Sequence, residues 1–234
     1  MAKLPDFPPT SSNFLKRVRR ASIGLACSVV LLVLLNLALR PWYMDWGATA
    51  AELHQAYPGD QLAPDVLSVA TRGITIHAPV KKVWPWIVQV GEDRAGFYSY
   101  TCLENLFLAD MHNADRLNPE WQSRQVGDTV WLAREDRYHG TARTVVALYQ
   151  PGQAMVLVSP PDYEKLVRTG PPIDGAWTFI LEPDGEHSSR LIMRSRGGAP
   201  GLLKRAFGCF IFDPAHFIME RGMMLGIKRR AERT

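Results

Sequence analysis

Cysteine is scarce in this chain, with three in 234 residues, at positions 27, 102 and 209. Cys27 falls in an uncharged apolar run, which leaves Cys102 and Cys209 either to pair outside the cell or to stay as lone thiols. No zinc-type cysteine or histidine spacing occurs, and the six histidines (54, 77, 112, 139, 187 and 216) include no pair three or four apart. The loop residues Asp110, His112 and Asp115 form at most a weak metal pattern, and a solvated polar loop is the simpler reading. Also absent are an Asn-x-Ser/Thr sequon, a P-loop and a Gly-x-Gly-x-x-Gly turn, so the usual nucleotide cradles are missing. Gly96-Phe-Tyr-Ser99-Tyr lacks the second glycine of a nucleophile elbow. Nothing here calls for a metal or a cofactor.

Excess charge is missing from most of the chain as well. The net +4 is already carried by residues 1–20, which hold five Lys+Arg against Asp6. The other 214 residues hold 22 charges of each sign, so they offer no net attraction to a phosphate backbone, and nucleic acid is not an expected partner. Within them the signs separate. Residues 40–189 net −7, and residues 190–234 net +7, with Lys228, Arg229, Arg230 and Arg233 at the C-terminal end of a predicted helix.

What the chain does have is a long uncharged run, residues 21–39. Nineteen helical residues reach about 28 Å, close to the hydrocarbon thickness of a bilayer. Arg40, Trp42, Tyr43 and Trp46 follow as a cation and an aromatic belt. The run reads as an uncleaved single-pass anchor. Its rival is a signal peptide, whose only small-residue cleavage site, Ala48-Thr-Ala50, lies far downstream. The basic tail then places the N-terminus in the cytoplasm and the domain outside.

The organisation expected is a tail over 1–20, an anchor over 21–39, a juxtamembrane segment over 40–66 with a short helix around 48–57, and a domain over 67–234. Ile74 and Ile76 alternate as in a strand, and Pro79 can open a helix whose stripe is Val80, Val83, Trp84, Ile87 and Val88, with Pro85 either kinking it or displacing its start. A second short helix is expected around 102–110, with Leu103, Leu106 and Phe107. Strands follow at 129–133, 141–149, 154–159, 177–182 and 190–196, with Pro183-Asp-Gly185 as a hairpin turn. Residues 201–233 read as a long helix with a kink or break at Pro214 or near Gly222.

Aromatics are abundant on these elements. They either fill an ordinary core or wall a cavity between a sheet and the last helix. In the second case Trp84, Tyr98, Tyr100, Glu104, Trp177, Arg194, His216 and Phe217 are the candidate ligand-binding residues, with Glu220 a further internal polar group. Tyr98, Glu104 and His216 are those able to act as general acid or base.

Ala78-Pro79-x-x-x-Val83-Trp84-Pro-Trp-Ile87 after the first strand resembles the helix-grip (SRPBCC) superfamily, which includes START lipid-binding domains, polyketide cyclases and birch-pollen-allergen-like proteins. Trp46-Gly-Ala-Thr49, Pro58-Gly-Asp60, Thr71-Arg72-Gly-Ile74, Gln89-Val-Gly91, Gly96-Phe-Tyr98-Ser99-Tyr100, Leu103-Glu104-Asn105, Pro119-Glu120-x-Gln122 and Gly127-Asp128 look like a bacterial branch with an N-terminal membrane segment. The resemblance implies an α+β fold, an antiparallel sheet wrapped around a long C-terminal helix. It also implies a cavity for a hydrophobic small molecule, lipid-like, polyketide or aromatic. Three functions stay open: a binding module, a cyclase or dehydratase in the same cavity, and a structural or partner-binding domain with a filled core.

Overall fold

The computed structural model describes residues 12–106, 108–198 and 200–233. The tail residues Lys3 and Asp6, and Phe107, lie outside them. The chain divides into two compact units, Met1–Pro41 and Trp42–Thr234. Helix α1 is Ser12–Met44. Its stretch Lys16–Met44 is long and apolar enough to cross a membrane, and none of its apolar window is buried. A core helix of a soluble protein would hide such a surface.

The second unit holds a six-stranded antiparallel sheet. Its strands are β1 (Ser68–Ile76), β2 (Thr129–Trp131), β3 (Arg143–Gln150), β4 (Ala154–Val158), β5 (Ala176–Pro183) and β6 (Ser189–Gly197), in the order β1-β6-β5-β4-β3-β2. A bulge between Val146 and Leu148 bends β3. Two short helices, α3 (Val80–Val88) and α4 (Thr101–Leu106), follow β1. The last helical stretch comprises α6 (Leu202–Phe207), a π-turn over Gly208–Phe212 and α7 (Asp213–Ala231). This is the helix-grip architecture expected from the sequence.

The inner face of the sheet belongs to the main core. Ile76, Val130, Val146, Met155, Leu157, Phe179, Leu181, Leu191 and Met193 pack there with Trp86, Ile87, Met223, Met224 and Ile227. Each such side chain, fully buried, is worth about 1.5–3 kcal/mol. Residues 42–66, with α2 (Ala50–His54), belong to this same unit. They cross the β1 edge, where Gly73 N–H donates to the Trp46 carbonyl at 3.1 Å, and then cover the outer face. There Arg190 pairs with Glu52, Arg194 with Asp60, and Arg196 donates to the Ala63 carbonyl. Gly47, at φ +69°, has no room for a side chain against the Gly73 carbonyl. With both faces covered, β6 reads apolar on one side and cationic on the other.

Three local expectations change. Pro160-Pro161 opens a helix, α5 (Pro160–Thr169), because both prolines fall in the first turn, whose N–H groups are unbonded anyway, and Ser159 caps it. Pro85 does not displace the start of α3, which opens at Val80 and runs through it. The irregularity in the last helix is neither at Gly222 nor at Pro214 itself but in the preceding π-turn. That wider turn gives the Pro214 ring room beside the carbonyl four residues back. Gly222 stays helical, and its bare Cα lets Ser99 and Tyr100 approach: a Cβ there would lie 2.7 Å from both. Gly226 is tighter, since a Cβ would lie 2.1 Å from the Tyr98 carbonyl oxygen.

Gly226→Ala is therefore expected to lower stability by about 1–3 kcal/mol through overpacking, despite its better helix propensity. Gly208→Ala, with nothing within 4 Å, should not be destabilising. Chemical denaturation midpoints of the two variants check the opposite outcomes.

Candidate functional site

Between the inner face of the sheet and α7 the molecule keeps a cavity of about 170 Å³. Phe97, Trp177 and Leu132 form one wall, while Met219 and Met223, one turn apart on α7, form the other. Ser99, Glu104, His216 and Glu220 supply its polar atoms. The Phe97 and Trp177 rings stack with centroids 6.1 Å apart. The volume is about that of an engineered cavity known to accept a benzene ring.

One end of the cavity is held by a buried charged network. Arg72 on β1 and Glu220 on α7, both almost fully buried, form an ion pair with a very short contact. Trp177 Nε1 donates to the other Glu220 oxygen at 2.7 Å, and Arg72 Nε donates to the Tyr43 carbonyl at 2.8 Å. His216 Nδ1 lies 3.3 Å from Arg72 Nη1. An arginine can only donate, so that nitrogen offers a lone pair and the ring is neutral. Burial holds the His216 pKa below its ordinary value, in the same sense. Burial alone would raise the Glu220 carboxyl, but the Arg72 charge and the two donated hydrogen bonds outweigh it and hold it below the usual carboxylate range. Glu220 is thus a fixed carboxylate with its oxygens engaged.

Glu104 differs. Its Oε2 is buried without a hydrogen-bond partner among the described residues, and burial pushes its pKa up to about 7. A carboxyl poised between its two protonation states can donate to or accept from a molecule in the cavity, or move a proton.

Of the residues expected from the sequence, Glu104, Trp177 and His216 come together here. Phe217 and Tyr100 line a neighbouring pocket of about 180 Å³ with Trp42, Ile218 and Arg221. Trp84 packs on Tyr149 at 5.8 Å in the core. Tyr98 is buried and donates its hydroxyl to the Trp86 carbonyl at 3.0 Å, with Arg230 over its ring. Arg194 lies on the outer face, bonded to Thr71, the Glu52 and Gln55 carbonyls and Asp60, and stacked over Tyr57. Trp84, Tyr98 and Arg194 line neither pocket. Arg72 is the residue missed as a site member. It falls on the strand parity of Ile74 and Ile76, and an arginine on a buried face requires a buried acid. Cys102 and Cys209 are not joined in a disulfide, and no metal-binding cluster occurs among the described residues.

The six strands, the C-terminal helix and the aromatic cavity between them make up the architecture of this unit. The chain is similar to a polyketide-cyclase-like protein of Corynebacterium glutamicum (15% identity, covering 72% of this chain and 88% of that one, TM-score 0.31). It is also similar to CalC, a self-sacrificing resistance protein of Micromonospora echinospora (8%, 70% and 92%, TM-score 0.37). A START superfamily protein of Mycobacterium smegmatis matches as well (14%, 67% and 98%, TM-score 0.28). At such identities and scores these structures carry no ligand or reaction to this chain. No protein-family profile and no curated protein matches it.

Two outcomes follow. Arg72→Met strands the Glu220 carboxylate and should cost about 3–5 kcal/mol, most of it recovered when Glu220→Leu is added. Equilibrium unfolding of the single and double variants measures this. The folded state holds the Glu104 proton up to about pH 7, whereas the unfolded chain loses it near the ordinary glutamate value. The folded state thus binds the extra proton in that window, and stability falls as pH rises from about 4.5 to 7. The expected loss is about 1–2 kcal/mol, the full linkage value being reduced by the water that reaches this half-buried side chain. Glu104→Gln should remove the slope in a pH series of melts.

Proposed function

We propose that this chain is a membrane-tethered binding module that holds a small hydrophobic molecule between the sheet and the C-terminal helix. Residues 21–39 serve as the anchor, and the folded domain lies outside the cytoplasm, an orientation supported by the basic tail. The observation that carries the reading is the Glu104 oxygen, buried without a hydrogen-bond partner among the described residues, in a cavity whose other polar groups include the committed Glu220. A close-packed core leaves few voids of this size, and here the void and the orphan carboxyl oxygen coincide. The volume favours an aromatic ring or a short branched group over a whole lipid. Glu104 would meet its one polar substituent, while Phe97, Trp177 and Met223 contact its faces. Trp84, Tyr98 and Arg194 would act through the frame, and Tyr100 and Phe217 through the neighbouring pocket.

The same carboxyl favours a second reading, an enzyme of the cyclase or dehydratase kind with Glu104 as general acid–base. The neutral His216 imidazole lines the same cavity and would assist. Tyr98 is a poorer candidate, because its hydroxyl is already committed to the Trp86 carbonyl.

Solvent extraction of the purified full-length chain, followed by mass spectrometry, should yield one apolar molecule per chain that is not the detergent. Leu132→Trp, at the cavity wall, should remove it while leaving the melting transition intact. A folded wild-type protein with an empty extract would overturn the proposal. If the molecule is found, Glu104→Gln separates the two readings: a binder keeps its ligand unchanged, and an enzyme accumulates unprocessed substrate.

A further inference from the structure

The eleven residues Leu202–Phe212 present an anomaly for a protein surface. Leu202 and Leu203 are 86% and 87% exposed, and Phe207, Ile211 and Phe212 are each more than half exposed, with Phe210 at 37%. Isolated exposed hydrophobics need no explanation, but six within three helical turns do. Lys204 and Arg205 sit among them, and no acidic residue lies between Arg190 and Asp213. An apolar face interleaved with cations is the composition of a helix that lies in a membrane interface.

The position of this segment says what covers it. The folded unit begins at Trp42 and Tyr43, the aromatic pair that closes the apolar helix. Tyr43 Oη lies 3.5 Å from the Cys209 carbonyl oxygen in the π-turn, and the Trp42 ring meets Phe217 edge-on at 5.4 Å. Aromatic residues at the end of a membrane helix sit at headgroup depth. The contacts at Cys209 and Phe217 therefore hold the exposed turn at that depth too. We infer that Leu202–Phe212 is a second membrane contact, inserted into the headgroup and upper acyl region of the phospholipid leaflet in which the anchor ends. The inference rests on the anchor reading. It also sets the proposed membrane contact beside the cavity, because Phe212 stacks on His216 with centroids 5.3 Å apart and rings 9° from parallel, and His216 lines the cavity.

The test uses the full-length chain in phosphatidylcholine vesicles, with Cys27, Cys102 and Cys209 replaced by serine. Single cysteines at Leu203→Cys, Ile211→Cys, Val167→Cys and Leu31→Cys carry an environment-sensitive fluorophore. Val167 is 71% exposed on α5 and reports water, and Leu31 reports the anchor. Lipids bearing a shallow nitroxide should quench the labels at 203 and 211 strongly and leave the one at 167 unchanged, while a deep nitroxide quenches the label at 31. Quenching at 31 with emission at 203 and 211 matching that at 167 overturns the docking surface and leaves the anchor standing. Blue-shifted emission at 203 and 211 that lipid nitroxides do not quench also overturns it, and shows a second protein surface there. No quenching at 31, 203 or 211 removes both readings. A cooperative melt close to that of the unlabelled chain confirms that each labelled variant is folded.

Discussion

The buried pairing of Arg72 with Glu220 is the constraint on which the rest of the molecule depends. It joins an edge strand to the grip helix, and both ions have left water almost completely. Desolvation on that scale is tolerable only when the remaining donors and acceptors are largely directed. The neighbours direct most of them, and Arg72 Nη2 is buried without a hydrogen-bond partner among the described residues. The Trp177 indole takes one carboxylate oxygen, the Tyr43 carbonyl takes the guanidinium Nε, and Phe217 packs under the guanidinium. One interaction thus positions β1, β5, α7 and the point where the chain enters the fold. The cavity lies beside this network because α7 is held at the distance that an arginine and a glutamate set, leaving a gap that Met219 and Met223 do not fill.

The polar groups of the site divide into two kinds. Glu220 and His216 are structural: their protonation states are set by fixed partners, and a ligand can change them only by breaking the network. Glu104 is the opposite, a carboxyl on a six-residue helix with no neighbour to decide its charge. Chemistry at this site would therefore begin at the less constrained wall, while the rigid wall fixes geometry. This asymmetry suits a binding site, in which one polar contact orients a mostly apolar guest.

Much of the architecture could be read from periodicity. The strand parity of Ile74 and Ile76, the stripe from Val80 to Val88 and the Pro183-Asp-Gly185 turn each mark an element that the structure contains. The α5 helix was hidden because two consecutive prolines signal a break unless a capping serine before them is recognised as starting a helix. Site membership was harder to read. Trp84 and Trp177 on core elements and Tyr98 in the loop before α4 are all buried or half-buried aromatics, and only packing separates the one at the cavity from the two in the frame. Arg194 looked internal because it sits in an apolar run. The run serves two covered faces, and the arginine serves the outer one. Nothing local in Glu104 reveals its missing partner, since that is a property of its surroundings.

The crossing of residues 46–64 over β1 and onto the outer sheet face bears on how the protein can be divided. Sheet edges with free N–H and C=O groups recruit other strands, and here the Trp46 carbonyl and the close approach of Gly47 to Gly73 blunt the β1 edge. A soluble fragment cut at the start of β1 would bare that edge and leave Arg190, Arg194 and Arg196 without the acids and carbonyls that hold them. Aggregation of such a fragment would reflect a missing edge guard rather than a defect in the domain. The natural place to sever the apolar N-terminal helix lies before Trp42.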